Sequence, residues 1–139
     1  LSSAARTDSL NGVRIIGHGI DLIECARIAA LHERHGERLF ARLLTPSEQA
    51  YVRKRRLFIP HLAGRFAAKE AILKVLGTGW RGPIAWRDME ILNDRSGQPH
   101  VTLSGECARI ASQLGITRIL VSITHTPHYA AASALGVAD

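Results

Sequence analysis

The chain has 139 residues, 46% hydrophobic and 22% charged, a balance that fits a soluble globular fold and excludes a disordered or fibrous one. Eighteen basic against twelve acidic side chains leave a net charge of +6 at pH 7, which favours an anionic partner without choosing its class. The length excludes a tandem enzyme and predicts a single domain over 13–139 after a flexible polar leader at 1–12, with no apolar run long enough for a membrane span.

The first predicted element is a strand from Val13, where Val13, Ile15 and Ile23 alternate with Ile16, Ile20 and Leu22, so both faces are expected to be buried. A helix over about 24–34 follows, with Ile28 and Leu31 on one side and Gly36 ending it. Thr45, Pro46 and Glu48 spell a capping box with proline at the first helical position, opening a helix to about Arg56. Pro60 opens the next segment, and 62–76 reads as a long helix stopped by Gly77 and Gly79. Strands at about 88–92 and 100–103, joined by a turn at 93–97, form a hairpin. Ser104 and Glu106 start a helix that Gly115 closes. The β-branched run 118–125 is a strand, Thr126-Pro127 breaks it, and 129–137 returns as the last one. The fold class is α+β, a mainly antiparallel sheet packed with helices.

Cys25 and Cys107 are isolated, with neither a metal-binding nor a disulfide spacing, so they read as packed thiols of a reduced, cytoplasmic protein. Three Phe, two Trp and two Tyr supply few stacking faces for single-stranded nucleic acid.

Two carboxylates stand out. Asp21 shares a strand face with Gly17 and Gly19, and two missing side chains beside one carboxylate predict a hollow. A carboxylate there needs a metal ion or a basic partner, because burying it alone is costly. Glu70 has Phe66, Ala67, Leu73 and Lys74 three and four residues away, which sets it at the edge of a buried helix face. A surface pair with Lys74 is the ordinary alternative. Taken together, two carboxylates completed by water and phosphate oxygens make a set that Mg²⁺ accepts.

The remaining candidates are basic, polar or glycine-rich. Gly77-Thr78-Gly79, one turn after Lys74, can hold a phosphate through backbone N–H groups or simply cap the helix. His125 ends a strand beside Ser122 and Thr124, where a donor or proton carrier would face a ligand. His125 and His128 lack a third ligand for zinc. The run Arg53-Lys54-Arg55-Arg56 is dense enough that some of it should meet an anion, whereas His18 lies opposite Asp21 and receives no role.

Three segments together resemble the holo-acyl-carrier-protein synthases, the small bacterial 4′-phosphopantetheinyl transferases. They are Gly17-His18-Gly19-Ile20-Asp21-Leu22-Ile23-Glu24; Leu62-Ala63-Gly64-Arg65-Phe66-Ala67-Ala68-Lys69-Glu70-Ala71 running on to Lys74 and Gly77-Thr78-Gly79; and Val121-Ser122-Ile123-Thr124-His125-Thr126. The resemblance implies the 4′-phosphopantetheinyl transferase fold. It also implies transfer of phosphopantetheine from coenzyme A to a serine of apo acyl carrier protein, releasing adenosine 3′,5′-bisphosphate.

By matching positions, Asp21 and Glu70 would hold Mg²⁺ and act with Lys74 in catalysis. Arg65, Lys74, Gly77, Thr78, Gly79 and His125 would contact coenzyme A, with Arg53 and Arg56 as candidates for its nucleotide phosphates. Arg27, Arg38 and Arg42 would dock the acidic carrier. The family is a trimer with sites between subunits, and neither nucleic acid nor membrane is an expected partner.

His18, the longer leader and the Arg81-Gly82-Pro83 loop depart from the family pattern. Two other classes compete: a basic nucleic-acid-binding domain without chemistry, and an adaptor for acidic proteins. The first gives no reason for Asp21 beside glycines or for Glu70 at an apolar edge. The second would use Arg27 and its neighbours and ignore coenzyme A.

Overall fold

The computed structural model describes residues 12–139, so all but the last residue of the expected leader lies outside the described residues. In chain order the elements are β1 (Arg14–Glu24), α1 (Cys25–His35), α2 (Glu37–Leu43), α3 (Pro46–Arg53), α4 (Ile59–Leu76), β2 (Met89–Asn93), β3 (Pro99–Leu103), α5 (Gly105–Leu114), β4 (Arg118–His125) and β5 (Tyr129–Ala138). A short 3₁₀ turn, Trp86–Asp88, precedes β2.

The α+β expectation holds, with the strands divided between two antiparallel sheets: β1-β5-β4, and the β2-β3 hairpin. Three boundaries differ from the sequence reading. The capped helix ends at Arg53 rather than near Arg56, the long helix starts three residues early at Ile59, and α2 was not expected. Leu39, Phe40 and Leu43 bury one side of α2, which is what holds so short a helix against the core.

The organising element is α4. Twelve of its eighteen residues are buried, so it is a central helix, apolar nearly all round, and not an amphipathic surface one. Its sheet-facing residues are small: Ala63, Gly64, Ala67, Ala68 and Ala71 meet a central strand whose inward positions are Ala130, Ala132 and Ala134. Small residues on both sides let the helix lie close to the sheet.

The glycines of β1 take this furthest. A Cβ on Gly19 would fall 2.1 Å from the Ala71 carbonyl oxygen, and one on Gly17 would fall 2.9 Å from that of Val75. The hollow expected beside Asp21 is therefore filled by the backbone of α4. The missing side chains serve close approach.

The expectation that both faces of β1 are buried is also corrected. A bulge between Ile15 and Gly17 shifts the register, so Ile16 packs inward while Ile15 is 67% exposed. From Gly17 onward the odd positions face α4, and Ile20 and Leu22 on the other face are open. Both cysteines are buried and unpaired, and burial pushes the Cys107 thiol up to about 11, as packed, inert thiols require.

Candidate functional site

The capping box at the start of α3 forms as the sequence reading requires. The Glu48 amide donates to Thr45 Oγ1 at 3.3 Å and the Thr45 amide to Glu48 Oε1 at 2.9 Å. Glu48 does more than cap. It is fully buried, takes the Lys69 ammonium at 2.7 Å, and accepts from the Ile91 amide at 2.9 Å. Lys69 Nζ also donates to the carbonyls of Leu43 at 2.6 Å and Trp86 at 3.2 Å. Burial pushes the Lys69 ammonium below its ordinary value while Glu48 draws it back up. This hub ties α2, α3, the Trp86 turn and β2 to α4. Sequence reasoning missed it, although a lysine inside a helix apolar nearly all round was itself the signal that a buried acid had to be found.

One residue further along α4, Glu70 points to a different environment. It is half-buried, and its carboxyl is held above the usual range, first by burial and then by the nearby Asp21 charge; Lys74 and Arg27 oppose the shift. The two carboxylates singled out from sequence thus share one place, where β1 crosses the middle of α4. Lys74 does not pair with Glu70. Its ammonium donates to the Ile20 carbonyl at 2.6 Å and reaches Asp21 Oδ1 at 3.4 Å. The Asp21 side chain is 17% exposed and that of Lys74 53%, so the place opens to solvent on the lysine side.

Gly77 caps α4 in the left-handed conformation at φ 76°, and the Gly77 and Thr78 amides donate to the Lys74 and Leu73 carbonyls. Those two amides are committed to the helix end. The Gly79 amide is not part of that cap, and the Thr78 hydroxyl oxygen is buried without a partner.

Arg65 is 3% exposed, donates to the Ile91 carbonyl at 3.1 Å and to Asn93 Oδ1, and lies over the Tyr51 ring. Its Nε has no partner. His125, at the open end of β4, meets His61 of α4 edge-on with ring centres 4.6 Å apart.

The basic run disperses. Arg53 pairs with Glu37 of α2 and covers the Phe40 ring, Arg55 covers Tyr51, and Lys54 and Arg56 are exposed. Arg27, Arg38 and Arg42 are all exposed. Arg38 and Arg42, with His35, rim an apolar groove of about 470 Å³ whose walls include Leu31, Leu39, Leu43, Phe66 and Trp86. Leu31 is one helical turn from Arg27 and Phe66 one turn from Glu70, so the groove adjoins the carboxylate pair.

Among the described residues no three His, Cys, Asp or Glu side chains stand close enough to hold a metal ion by themselves. Two hard oxygen ligands, mutually repelling and partly removed from water, suit a divalent cation whose remaining positions are filled by substrate oxygens and water.

Comparison with known proteins agrees with this architecture. The family profile described as the 4′-phosphopantetheinyl transferase superfamily matches residues 17–132. The holo-acyl-carrier-protein synthase of Solibacter usitatus is 45% identical over 124 residues, covering 89% of this chain and 94% of that relative. That of Desulforudis audaxviator is 46% identical over 123 residues, covering 88% and 93%. Among solved structures, the holo-acyl-carrier-protein synthase of Neisseria meningitidis superposes with a TM-score of 0.81 at 31% identity, covering 88% of this chain and 98% of that one. The Helicobacter pylori enzyme, solved in complex with coenzyme A, gives 0.74 at 29% identity, covering 86% and 98%. The chain belongs to the 4′-phosphopantetheinyl transferase superfamily and, within it, to the holo-acyl-carrier-protein synthases.

Proposed function

We propose that this chain transfers the 4′-phosphopantetheine arm of coenzyme A to a serine hydroxyl of an apo acyl carrier protein. The serine oxygen bonds to the phosphorus that bears pantetheine, the bond from that phosphorus to the bridging oxygen breaks, and adenosine 3′,5′-bisphosphate leaves. The single observation that carries this reading is the meeting of Asp21 and Glu70 at the crossing of β1 and α4, beside Lys74.

Displacement at phosphorus asks little covalent chemistry of a protein. It needs charge placed on the oxygens and an aligned nucleophile. Asp21 and Glu70 are the residues that would hold Mg²⁺, which when bound supplies positive charge to the pyrophosphate. Lys74 adds an exposed ammonium on the solvent side, and the Gly79 amide and Thr78 hydroxyl are the groups of that turn left to meet phosphate. Glu70, the carboxylate at the edge of the buried face, relays the proton that the serine loses.

The remaining roles rest on placement. Arg38 and Arg42 rim the groove, Arg27 is exposed near Glu70, and the three suit an acidic carrier. Arg65 and His125 contact coenzyme A, with Arg53 and Arg56 at the edge of that contact. The open β-sheet face carrying Ile20, Leu22 and Leu120 supports a homotrimer whose sites lie between subunits. Among the described residues no helix is long and apolar enough to cross a membrane. A cytoplasmic location accords with the reduced thiols.

The test is incubation with Mg²⁺, coenzyme A and several apo carrier proteins. Mass spectrometry should show one phosphopantetheine added to a carrier, and failure with every carrier refutes the reading.

A further inference from the structure

The walls of the apolar groove come from separate parts of the chain. Leu43 ends α2, Trp86 opens the 3₁₀ turn before β2, and Phe66 lies in α4. A seven-residue helix and a three-residue 3₁₀ turn are too short to hold their own places. Apolar contact between them resists separation, but it is non-directional and does little against sliding.

Leu43 and Trp86 share one further feature. Their main-chain carbonyls converge on the same nitrogen, Lys69 Nζ, at 2.6 and 3.2 Å. Glu48 accepts the third bond of that ammonium at 2.7 Å, and is itself fixed by the amides of Thr45 and Ile91, at 2.9 Å each. An ammonium has three donors, and here all three are spent, so the two carbonyls are held in one relation to each other. Lys69 follows Phe66 by three positions, so the clamp adjoins the side of α4 from which Phe66 lines the groove.

The clamp reaches the groove's charged rim and aromatic wall. Arg42 precedes Leu43 in α2, and its guanidinium carbon lies 5.5 Å from the centre of the Trp80 ring. Trp80 stacks on Trp86 with ring centres 6.1 Å apart, and Trp86 tilts against Phe66 at 5.2 Å. Shifting either carbonyl moves one end of this row against the other. A buried ion pair adds little net stability over apolar side chains of the same size, since desolvating two charges offsets their attraction. What apolar side chains cannot supply is direction.

We propose that Lys69 and Glu48 are positioning residues for carrier docking, the ammonium setting the width of the groove through the carbonyls of Leu43 and Trp86. The proposal rests on the reading of that groove as the approach of an acidic carrier. Both side chains are wholly buried, so they act on the carrier only through the walls they hold.

Steady-state kinetics test this, with the apo carrier that the transfer assay identifies. One variant combines Glu48→Leu with Lys69→Met; a second, Lys69→Arg, keeps a charge opposite Glu48 but carries its donors in a flat fork. The carrier KM should rise about tenfold in each, while kcat and the coenzyme A KM stay within about twofold of the unmutated values. A merely structural role would not give this split, because a smaller folded fraction lowers apparent kcat and leaves KM alone. Arg42→Ala should raise the carrier KM less in the double variant than in the unmutated protein, since the clamp acts by placing Arg42.

An unchanged carrier KM in a folded double variant overturns the proposal, as do a coenzyme A KM that rises in parallel and an Arg42→Ala effect equal in both backgrounds. Where only Lys69→Arg folds, its carrier KM decides in the same way. If neither variant folds, the pair holds up the whole domain rather than the groove, and the assignment falls. Transfer by the unmutated protein with a carrier KM indifferent to the pair sinks this inference alone, whereas no transfer to any carrier sinks it together with the reading it rests on.

Discussion

Lys69 and Glu70 are consecutive in α4, and the helix delivers them to opposite regimes. Lys69 enters a sealed region where every proton on its ammonium has an acceptor and its charge is matched by Glu48. Glu70 enters a half-open region where the charge of a second carboxylate, Asp21, acts on it. The first region is complete as folded, so its charges serve assembly. The second sets two carboxylates side by side with only the exposed Lys74 and Arg27 to offset them, and that repulsion marks it as the place where something from solution is bound.

The sharpest way to break this comparison is to remove the unsatisfied pair. Asp21→Ala and Glu70→Ala should each lower transfer by about 10²-fold or more while the melting curve stays near that of the unmutated protein. A fully active Glu70→Ala enzyme would erase the distinction.

The sealed pair should behave in the opposite way. Lys69→Met leaves the Glu48 charge buried and alone, and denaturant titration should show a loss of about 3–5 kcal/mol. Replacing both, Glu48→Leu with Lys69→Met, should recover most of that loss, because no orphaned charge remains. A double variant as unstable as the single one would show that the backbone contacts of the pair outweigh its charge.

Glu70→Gln sharpens the contrast at smaller scale. A carboxyl whose folded pKa is raised favours the folded state while protonated, and that contribution is lost as the pH rises through the folded value. At neutral pH the ionised Glu70 therefore costs stability, and glutamine should raise the melting temperature by a few degrees. In acid below the ordinary carboxylate range the two proteins should melt alike. The least effect belongs to Arg53→Ala: its partner Glu37 is exposed and water screens the pair, so the melting curve should be unmoved within its precision.

Much of this was legible in the sequence because it rests on local rules. The capping box at Thr45, the glycine stops at Gly77 and Gly115, and the hairpin of β2 and β3 are set by neighbours within a few positions. The placing of Asp21 on one strand parity and Glu70 at a helix edge came from periodicity alone. What escaped depends on distant partners. Glu48 is 21 positions from Lys69, and a capping role already explained it. Gly36, at φ 56°, ended one helix and concealed that α2 begins at the next residue. The bulge between Ile15 and Gly17 is a single unpaired residue that alternation cannot register. The glycines of β1 were ambiguous in principle, since an absent side chain leaves either a void or room for a neighbour, and only α4 decides which.

The contact between Gly19 and Ala71 reaches beyond packing. Because the strand bearing Asp21 rests on the main chain of the helix bearing Glu70, the gap between the two acids is gauged by peptide units. Apolar side chains elsewhere in the interior can be exchanged over evolutionary time without resetting that gauge. Position 19 itself has no such freedom, and any laboratory library should recover glycine there before it recovers activity.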